Sequence, residues 1–227
     1  MKKNNGKNIL QAKDISKKYR NKNVLEKINF DVFKGDILLI KGKSGAGKST
    51  LLYILGNLIS PDSGKVIFNG KEVCKREMSK IRREKIGFMF QEFFLIEHAS
   101  VYENIIIPFA LNGKSMTDDM RQKVFKMCKE MDIEEYLLNV KVKTLSLGEK
   151  ARIALIRALI FEPKICIFDE PTGNLDMDNS SRISLLIEKE NKNLKQTFII
   201  ATHSDIFDDI ANRILILEEG RIKWVKG

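Results

Sequence analysis

The sequence predicts an α/β fold with a mainly parallel sheet, and three patterns support this prediction. An apolar run at residues 37–40 leads through a glycine-rich loop at 42–50 into a second apolar run at 51–55, which is the order strand, loop, helix. Downstream of this unit, strand patterns alternate with helical patterns, as they do when helices connect parallel strands. Residues 9–33 alternate loosely between apolar and polar side chains, which predicts antiparallel strands beside the parallel sheet.

In the first half of the chain, turn residues separate the predicted elements. Residues 34–36 form a turn after the antiparallel strands, and residues 60–64, rich in Ser, Pro, Asp and Gly, end the helix that follows the loop. Residues 65–70 are predicted to form a strand ending in a turn. A helix at 78–85 and a buried strand at 86–90 follow.

The second half begins with helical periodicity from residue 101 to about 136. Pro108 must lie at a kink or a helix boundary because it lacks a backbone N–H. Residues 112–113 are expected to end one helix, and Thr117 to cap the next. The remaining predicted elements are an apolar helix at 148–161, a strand at 165–168, a helix at 179–192, a strand at 197–201 and a hairpin across 218–220. With no repeat and no long linker, they predict one domain spanning residues 1–227.

The composition indicates a soluble, globular protein. Hydrophobic residues make up 43% of the chain and charged residues 31%, and no apolar run approaches the roughly 18 residues that a membrane span needs. Cys74, Cys128 and Cys166 are too scattered for a disulfide framework or a zinc site. We therefore expect free thiols in a reducing cytosol.

The formal net charge of +10 allows two interpretations. It is typical of proteins that bind nucleic acid or an anionic membrane surface, but also of a lysine-rich solvated surface. The lysines are spread along the chain, and even the densest basic cluster, residues 71–85, is interrupted by glutamates. We favour the solvated surface and expect no nucleic acid partner.

The loop between the first apolar strand and helix carries the strongest functional signal. Glycines let successive backbone N–H groups point at one anion, and the start of the helix adds the positive end of its dipole. Lys48 is expected to reach the β- and γ-phosphates of a nucleotide, and Ser49 to hold Mg²⁺. The predicted phosphate-binding residues are Gly42, Lys43, Ser44, Gly45, Ala46, Gly47, Lys48, Ser49 and Thr50. A glycine turn without a ligand would leave the Lys-Ser-Thr run unexplained.

Two adjacent acids end a later apolar strand. Asp169 follows residues 165–168, and a carboxylate at the carboxyl end of a neighbouring parallel strand can reach the Mg²⁺ of a bound nucleotide. Glu170 points elsewhere and can act as a general base on the attacking water. In isolation the two acids could simply end a strand, but beside a phosphate-binding loop they predict hydrolysis.

With these motifs, the chain resembles the nucleotide-binding domains of ABC ATPases over nearly all of its length. Further motifs occur in the family's order: Gln91, a signature-like run at 145–149, a D-loop-like run at 173–176, and His203. The resemblance implies a P-loop NTPase core with a mainly parallel sheet, an antiparallel β subdomain and an inserted helical subdomain at approximately 92–158.

The resemblance also implies ATP and Mg²⁺ as ligands and gives roles to single residues. Tyr19 stands where the family stacks an aromatic ring on adenine, although alone it could be an ordinary strand tyrosine. Gln91 matches the glutamine that touches Mg²⁺ and the attacking water. His203 matches the histidine that contacts the γ-phosphate.

In the family, two subunits clamp two ATP molecules between them. Ser146 and the backbone at Gly148 would cap the γ-phosphate held by the opposite subunit, and Asp176 of the D-loop-like run is expected to contribute to the same site. ATP binding closes the pair and hydrolysis opens it, so that a bound membrane protein feels a change of separation. We expect the second subunit to be another copy of this chain.

One position departs from the family pattern. Leu147 occupies a position where the signature has glycine, and its side chain needs room at a crowded interface and restricts φ. We expect slow but real hydrolysis.

The run at 171–176 resembles the branch that serves lipoprotein release, macrolide export, antimicrobial-peptide export and FtsE-like cell division. The resemblance implies integral-membrane permease subunits whose coupling helices dock on residues 93–111, at the cytoplasmic face of a bacterial membrane. These residues could instead be core.

Two alternative functions for the whole chain are a soluble ABC-type ATPase acting on nucleic acid or ribosomes and a non-hydrolysing regulatory subunit. Cargo contacts in this branch lie in the membrane subunits, so the sequence names no cargo.

Overall fold

The structure, a computed structural model, describes residues 7–20, 22–72 and 75–227; Cys74 lies outside the described residues. The strands are β1 (Asn8–Tyr19), β2 (Lys22–Phe33), β3 (Ile37–Lys41), β4 (Ser63–Phe68), β5 (Lys71–Glu72), β6 (Ile86–Met89), β7 (Ile165–Asp169), β8 (Thr197–Ala201), β9 (Arg213–Glu218) and β10 (Arg221–Lys226). The α-helices are α1 (Lys48–Leu55), α2 (Lys75–Lys85), α3 (Val101–Leu111), α4 (Asp118–Glu130), α5 (Leu147–Leu159) and α6 (Met177–Leu194). Short 3₁₀ helices cover Glu135–Asn139 and Val142–Thr144.

The larger sheet is mainly parallel, as the sequence predicts. Its strand order is β10-β9-β3-β8-β7-β6. The strands from β9 to β6 are parallel to their neighbours, and the final hairpin adds β10 in the antiparallel direction. The carboxyl ends of β3, β6, β7 and β8 therefore lie along one edge of this sheet, which is where parallel sheets place their binding sites.

The smaller sheet is antiparallel, with the order β2-β1-β4-β5. The strands β1, β2 and β4 confirm the predicted antiparallel segment and the strand that follows it. β5 was not predicted, because Lys71 and Glu72 are both exposed and carry no apolar pattern, so that only backbone pairing with β4 makes them a strand.

Alternate residues of β3 face two different cores. Leu38 and Ile40 pack with α1 and with the antiparallel sheet, whereas Ile37 and Leu39 pack with helices α3 to α6. All four side chains are at most 2% exposed. β3 is thus covered on both faces, as central strands of parallel sheets are, and its carboxyl end has little freedom to move.

Between β6 and β7 the named elements are all helical, in the part of the chain for which the sequence predicts a helical subdomain. Thr117 accepts a hydrogen bond from the N–H of Met120 and caps α4, as predicted. Asn112 follows the last residue of α3, and Pro108 lies in the last turn of that helix, near the predicted boundary. Among the described residues, no helix is long and apolar enough to cross a membrane.

A buried asparagine fastens the segment that leads into α3. The Asn104 side chain is 0% exposed and donates to the carbonyl oxygens of Ile96 and Ser100, at 3.0 and 2.9 Å. Its oxygen accepts a 2.7 Å hydrogen bond from the N–H of Ile96. Asn104 therefore holds the irregular chain between β6 and α3 against the helix.

We expect Asn104→Ala to lower the free energy of unfolding by about 2–3 kcal/mol, because buried backbone groups at Ile96 and Ser100 lose their partner. Urea unfolding measures the change. Gln122→Ala, which removes an exposed amide on α4, is the matched control and should shift the value by less than about 0.5 kcal/mol. Equal stability of the two variants would contradict this assignment.

Candidate functional site

A cleft of about 590 Å³ opens at the carboxyl edge of the parallel sheet. Most of the residues predicted for nucleotide binding and hydrolysis line it. They are Tyr19, Lys43, Ser44, Gly45, Gly47, Lys48, Ser49, Thr50, Gln91, Glu170 and His203, joined by Val24, Gly173 and Asn174. Gly42 and Ala46 line a second cleft on the other side of the same loop. The fold thus brings together five segments that lie apart in sequence: residues 19 and 24, residues 43–50, residue 91, residues 170–174 and residue 203.

The glycine-rich loop runs from the end of β3 into α1, in the predicted order. Gly47 has φ +102°, and a Cβ atom there would lie 2.8 Å from Cγ1 of Val24. A Cβ atom on Gly42 would lie 2.4 Å from the carbonyl oxygen of Leu217. Both positions require glycine, because the loop backbone is pressed against β2 on one side and β9 on the other.

Lys48 lies folded back over the loop. Its Nζ donates to the carbonyl oxygen of Gly42 at 2.8 Å and lies 3.2 Å from Oε1 of Glu170. Both side chains of this ion pair are nearly buried, at 8% and 9% exposure. The loop cation and the predicted general base therefore lie in direct contact.

His203 contacts the same carboxylate from the other side. Its Nδ1 lies 2.9 Å from Oε2 of Glu170, and its backbone N–H donates to that oxygen at 3.3 Å. The side chain of Glu170 is thus held between the loop after β3 and the segment after β8. Such an arrangement can orient a carboxylate toward a water molecule in the cleft.

Asp169 ends β7 beneath this cleft and is 1% exposed. Neither of its carboxylate oxygens has a hydrogen-bond partner of standard geometry. Burial raises the pKa of Asp169, although the hydroxyls of Ser49 and Tyr53 and the charge of Lys48 act against this rise. A buried, unpartnered carboxylate beside the first turn of α1 fits a divalent cation, since carboxylate and hydroxyl oxygens are the ligands that Mg²⁺ prefers.

Tyr19 lies at the end of β1, with its ring 47% exposed and the Nζ of Lys17 5.6 Å from the ring centroid. An exposed ring at the rim of the cleft can stack on a flat ligand. Gln91 follows β6, separated from its last residue by Phe90, and lines the same cleft.

The predicted signature residues form a second cluster that does not line the cleft. Ser146 caps α5 in a reciprocal capping box with Glu149, and hydrogen bonding to Ser146 lowers the pKa of Glu149. Leu147, the departure from the family pattern, is 48% exposed. Within one subunit, therefore, Ser146 and Gly148 belong to a separate surface.

Asn179 joins this cluster to the start of α6, and sequence reasoning missed it. Gly148 packs so closely on Asn179 that a Cβ atom would lie 2.7 Å from its Nδ2. Asn179 also hydrogen bonds Asp176, the N-cap of α6, at 2.8 Å, and the guanidinium of Arg152. The spacing Asp-x-x-Asn at a helix start was the available signal, because an N-cap side chain pairs with the third helical residue.

The loop, its lysine and the acidic strand end define a P-loop nucleotide-binding α/β protein. The family described as ABC transporter matches residues 25–173. The chain therefore belongs to the ABC transporter family, as an ATP-binding subunit that hydrolyses ATP. This confirms the family that the sequence resembles.

Known proteins are similar to this chain over most of its length. It is 38% identical over 221 residues to the lipoprotein-releasing system ATP-binding protein LolD of Buchnera aphidicola subsp. Schizaphis graminum, covering 94% of this chain and 96% of that protein. It is 37% identical to the ABC transporter ATP-binding protein YtrE of Bacillus subtilis, covering 88% and 87%. A dimeric post-hydrolysis structure of the ATP-binding cassette MJ0796, bound to ADP and Pi, matches with a TM-score of 0.88 and 32% identity, covering 96% of this chain and 100% of that one. These similarities confirm the predicted fold.

We expect Asp169→Asn to raise the free energy of unfolding of the nucleotide-free, metal-free protein by about 1 kcal/mol at pH 7. Burial raises the pKa of Asp169 above its value in the unfolded chain. The free energy of unfolding of the wild-type protein therefore falls as pH rises through the raised pKa, because the buried carboxyl group becomes charged. The amide avoids this loss, so the gain should shrink as pH falls through that pKa. Urea unfolding at several pH values measures it.

Asp209→Asn, on an exposed side chain, is the control and should show no such gain. A destabilised Asp169→Asn protein at pH 7 would contradict the assignment of a carboxylate whose burial outweighs its favourable contacts.

Proposed function

We propose that this ATPase works in pairs on the cytoplasmic face of a bacterial membrane, where it drives permease subunits that release or export a lipoprotein. Its similarity to proteins named for lipoprotein release, among them those of Chlorobium chlorochromatii and Aquifex aeolicus, supports this cargo class. The dimeric form of the cassette MJ0796 supports the pair.

In this proposal the loop residues 42–50 bind the phosphates of ATP, and Tyr19 stacks on the adenine. The phosphate oxygens carry more negative charge than Glu170, so Lys48 turns from Glu170 toward them when ATP binds. Ser49, Gln91 and Asp169 would hold Mg²⁺, which when bound would supply positive charge beside the phosphates. The orphaned oxygens of Asp169 support its place in this set.

Glu170 then accepts the proton of the attacking water. The water oxygen bonds to the γ-phosphorus while the bond to the bridging oxygen breaks, which yields ADP and phosphate. His203 keeps the carboxylate aimed through its 2.9 Å contact and can donate a hydrogen bond to the γ-phosphate. The clasp of Lys48, Glu170 and His203 is the observation that carries this mechanism.

The second subunit completes each site in the proposal. Ser146, Gly148 and Asp176 of one copy would face the γ-phosphate bound by the other. The contacts of Asn179 with Gly148 and Asp176 support joint movement, because they tie α5 and α6 into one surface. The helical part at approximately 92–158 and the sheets would then approach the partner together, within one domain of residues 1–227.

The permease is proposed to dock beside α3, in the predicted segment 93–111. A cleft of about 270 Å³ lies there, and both aromatic side chains from β6 onward and arginines line it. Phe94 and Leu111 are 58% and 62% exposed, so at least these residues of the segment are surface rather than core. Exposed apolar side chains in a concave site are typical of helix docking.

We expect Glu170→Gln to lower the kcat of ATP hydrolysis by about 100-fold or more while leaving MgATP binding intact, because only the proton acceptor is lost. Phosphate release and nucleotide binding by the purified chain measure the two effects. Glu135→Gln, on an exposed side chain, is the control and should leave both unchanged.

Lys48→Ala should instead weaken MgATP binding and ATP-dependent pairing, because it removes the cation of the loop. Full hydrolysis by Glu170→Gln, or unchanged MgATP affinity in Lys48→Ala, would overturn the assigned roles.

We expect Leu147→Gly to raise kcat by about two- to tenfold and to strengthen ATP-dependent dimerisation. The exposed Leu147 side chain lies where two subunits would meet, and its removal relieves crowding. Light scattering with the slow variant Glu170→Gln as background measures pairing. A slower Leu147→Gly protein would show that the leucine supports the interface.

A further inference from the structure

A lysine at the end of β3 holds the chain segment that carries His203. Lys41 is the last residue of β3, and its side chain is 17% exposed. Its Nζ lies 2.6 Å from a carboxylate oxygen of Asp205 and 2.6 Å from one of Asp208. Both acids lie in the connection between β8 and β9, which begins at residue 202.

Alternate side chains of β3 lie on opposite faces of the sheet, and Lys41 lies on the face that this connection covers. Lys41 shares a face of β3 with Ile37 and Leu39, and that face packs against Phe207 and Ala211 of the connection. At the other end, the Asn212 N–H donates to the carbonyl oxygen of Ile37 at 3.1 Å. The connection therefore lies along β3 and is fastened at both ends.

His203 depends on this segment for its position. Its side chain is 64% exposed and contacts the carboxylate of Glu170. In the turn that contains His203, the Ser204 N–H donates a 3.0 Å hydrogen bond to the hydroxyl of Thr202. In the next turn, the Asp208 N–H donates a 3.0 Å hydrogen bond to the carbonyl oxygen of Asp205. The two turns link His203 directly to the acids that Lys41 holds.

We propose that Lys41 is a positioning residue for ATP hydrolysis: by clamping Asp205 and Asp208 it holds His203 against Glu170. This inference rests on the proposed roles of His203 and Glu170. The same clamp ties the segment that carries His203 to β3, the strand that precedes the phosphate-binding loop, so the distance between these two sides of the cleft is fixed.

The chemistry of the clamp suits this role. Burial opposes the charge of Lys41, but hydrogen bonds and charge from the two carboxylates outweigh it and raise the pKa of the lysine. Lys41 is therefore charged at neutral pH. Removing the charge would free the connection at its His203 end, while the Asn212 end and the core contacts keep it folded. Small displacements of a positioned group cost rate more than stability.

The test compares Lys41→Met, which keeps the length of the side chain, with Lys41→Arg, which keeps the charge. We expect Lys41→Met to lower kcat about three- to tenfold, with KM for ATP changing less than about twofold, and Lys41→Arg to recover most of the loss. The double variant Asp205→Asn/Asp208→Asn should match Lys41→Met. Combining all three substitutions should cost nothing further, because the same clamp is already open.

Lys123→Met is the matched control. It breaks a comparable ion pair, at 2.5 Å from Glu162 with a 31% exposed lysine, but in the helical part of the chain, and it should leave kcat unchanged. Thermal unfolding of every variant separates loss of rate from loss of fold. Should Lys41→Met not fold, Asp205→Asn alone decides, since that side chain is 89% exposed.

An unchanged kcat in folded Lys41→Met and in Asp205→Asn/Asp208→Asn would overturn the proposal and leave the clamp a structural ion pair. A raised KM with unchanged kcat would also overturn it, because Lys41 would then support the loop instead. Activity in Glu170→Gln tests the proposed function separately: if Glu170→Gln is inactive and Lys41→Met is fully active, only the clamp fails.

Discussion

The site depends on the way one carboxylate is held. Glu170 touches Lys48 at 3.2 Å and His203 at 2.9 Å, and it is almost fully buried. A buried carboxylate needs such partners, because desolvation without them costs several kcal/mol. The loop after β3, the end of β7 and the segment after β8 therefore cannot separate without leaving a charge unpaired.

The two sheets meet at the same place. Val24 of β2 lies against Gly47, so the antiparallel sheet presses on the loop that begins α1. Leu217 of β9 reaches the loop from the other side, at Gly42. Because both approaches exclude a side chain, the loop is shaped by its neighbours as much as by its own glycines. The smaller sheet thus acts on the functional site through packing.

A separate surface, formed by the starts of α5 and α6, is also held together by one residue. Asn179 packs on Gly148, hydrogen bonds Asp176 and contacts Arg152. Two helix N-termini are thereby fixed relative to each other, with the exposed Leu147 at their edge. In the proposed pair, this surface and the cleft are two halves of one site. Its geometry within a subunit does not depend on the partner.

The sequence alone determined the fold class, the family and the strand, loop and helix at 37–55, because these follow from local periodicity and from residue types with one main use. It also predicted the cap at Thr117 and the acidic end of β7. It did not predict β5, Asn179 or Lys41. β5 has no apolar pattern and is a strand only through backbone pairing with β4. The packing of Asn179 on Gly148 and the ion pairs of Lys41 join residues that are remote in sequence. Only the tertiary structure brought Lys41 to Asp205 and Asp208, more than 160 residues away, and closed Lys48 and His203 around Glu170. The carboxyl ends of parallel strands lie at one edge of the sheet, where residues distant in sequence come into contact. This proximity is a property of the whole sheet and not of any single segment.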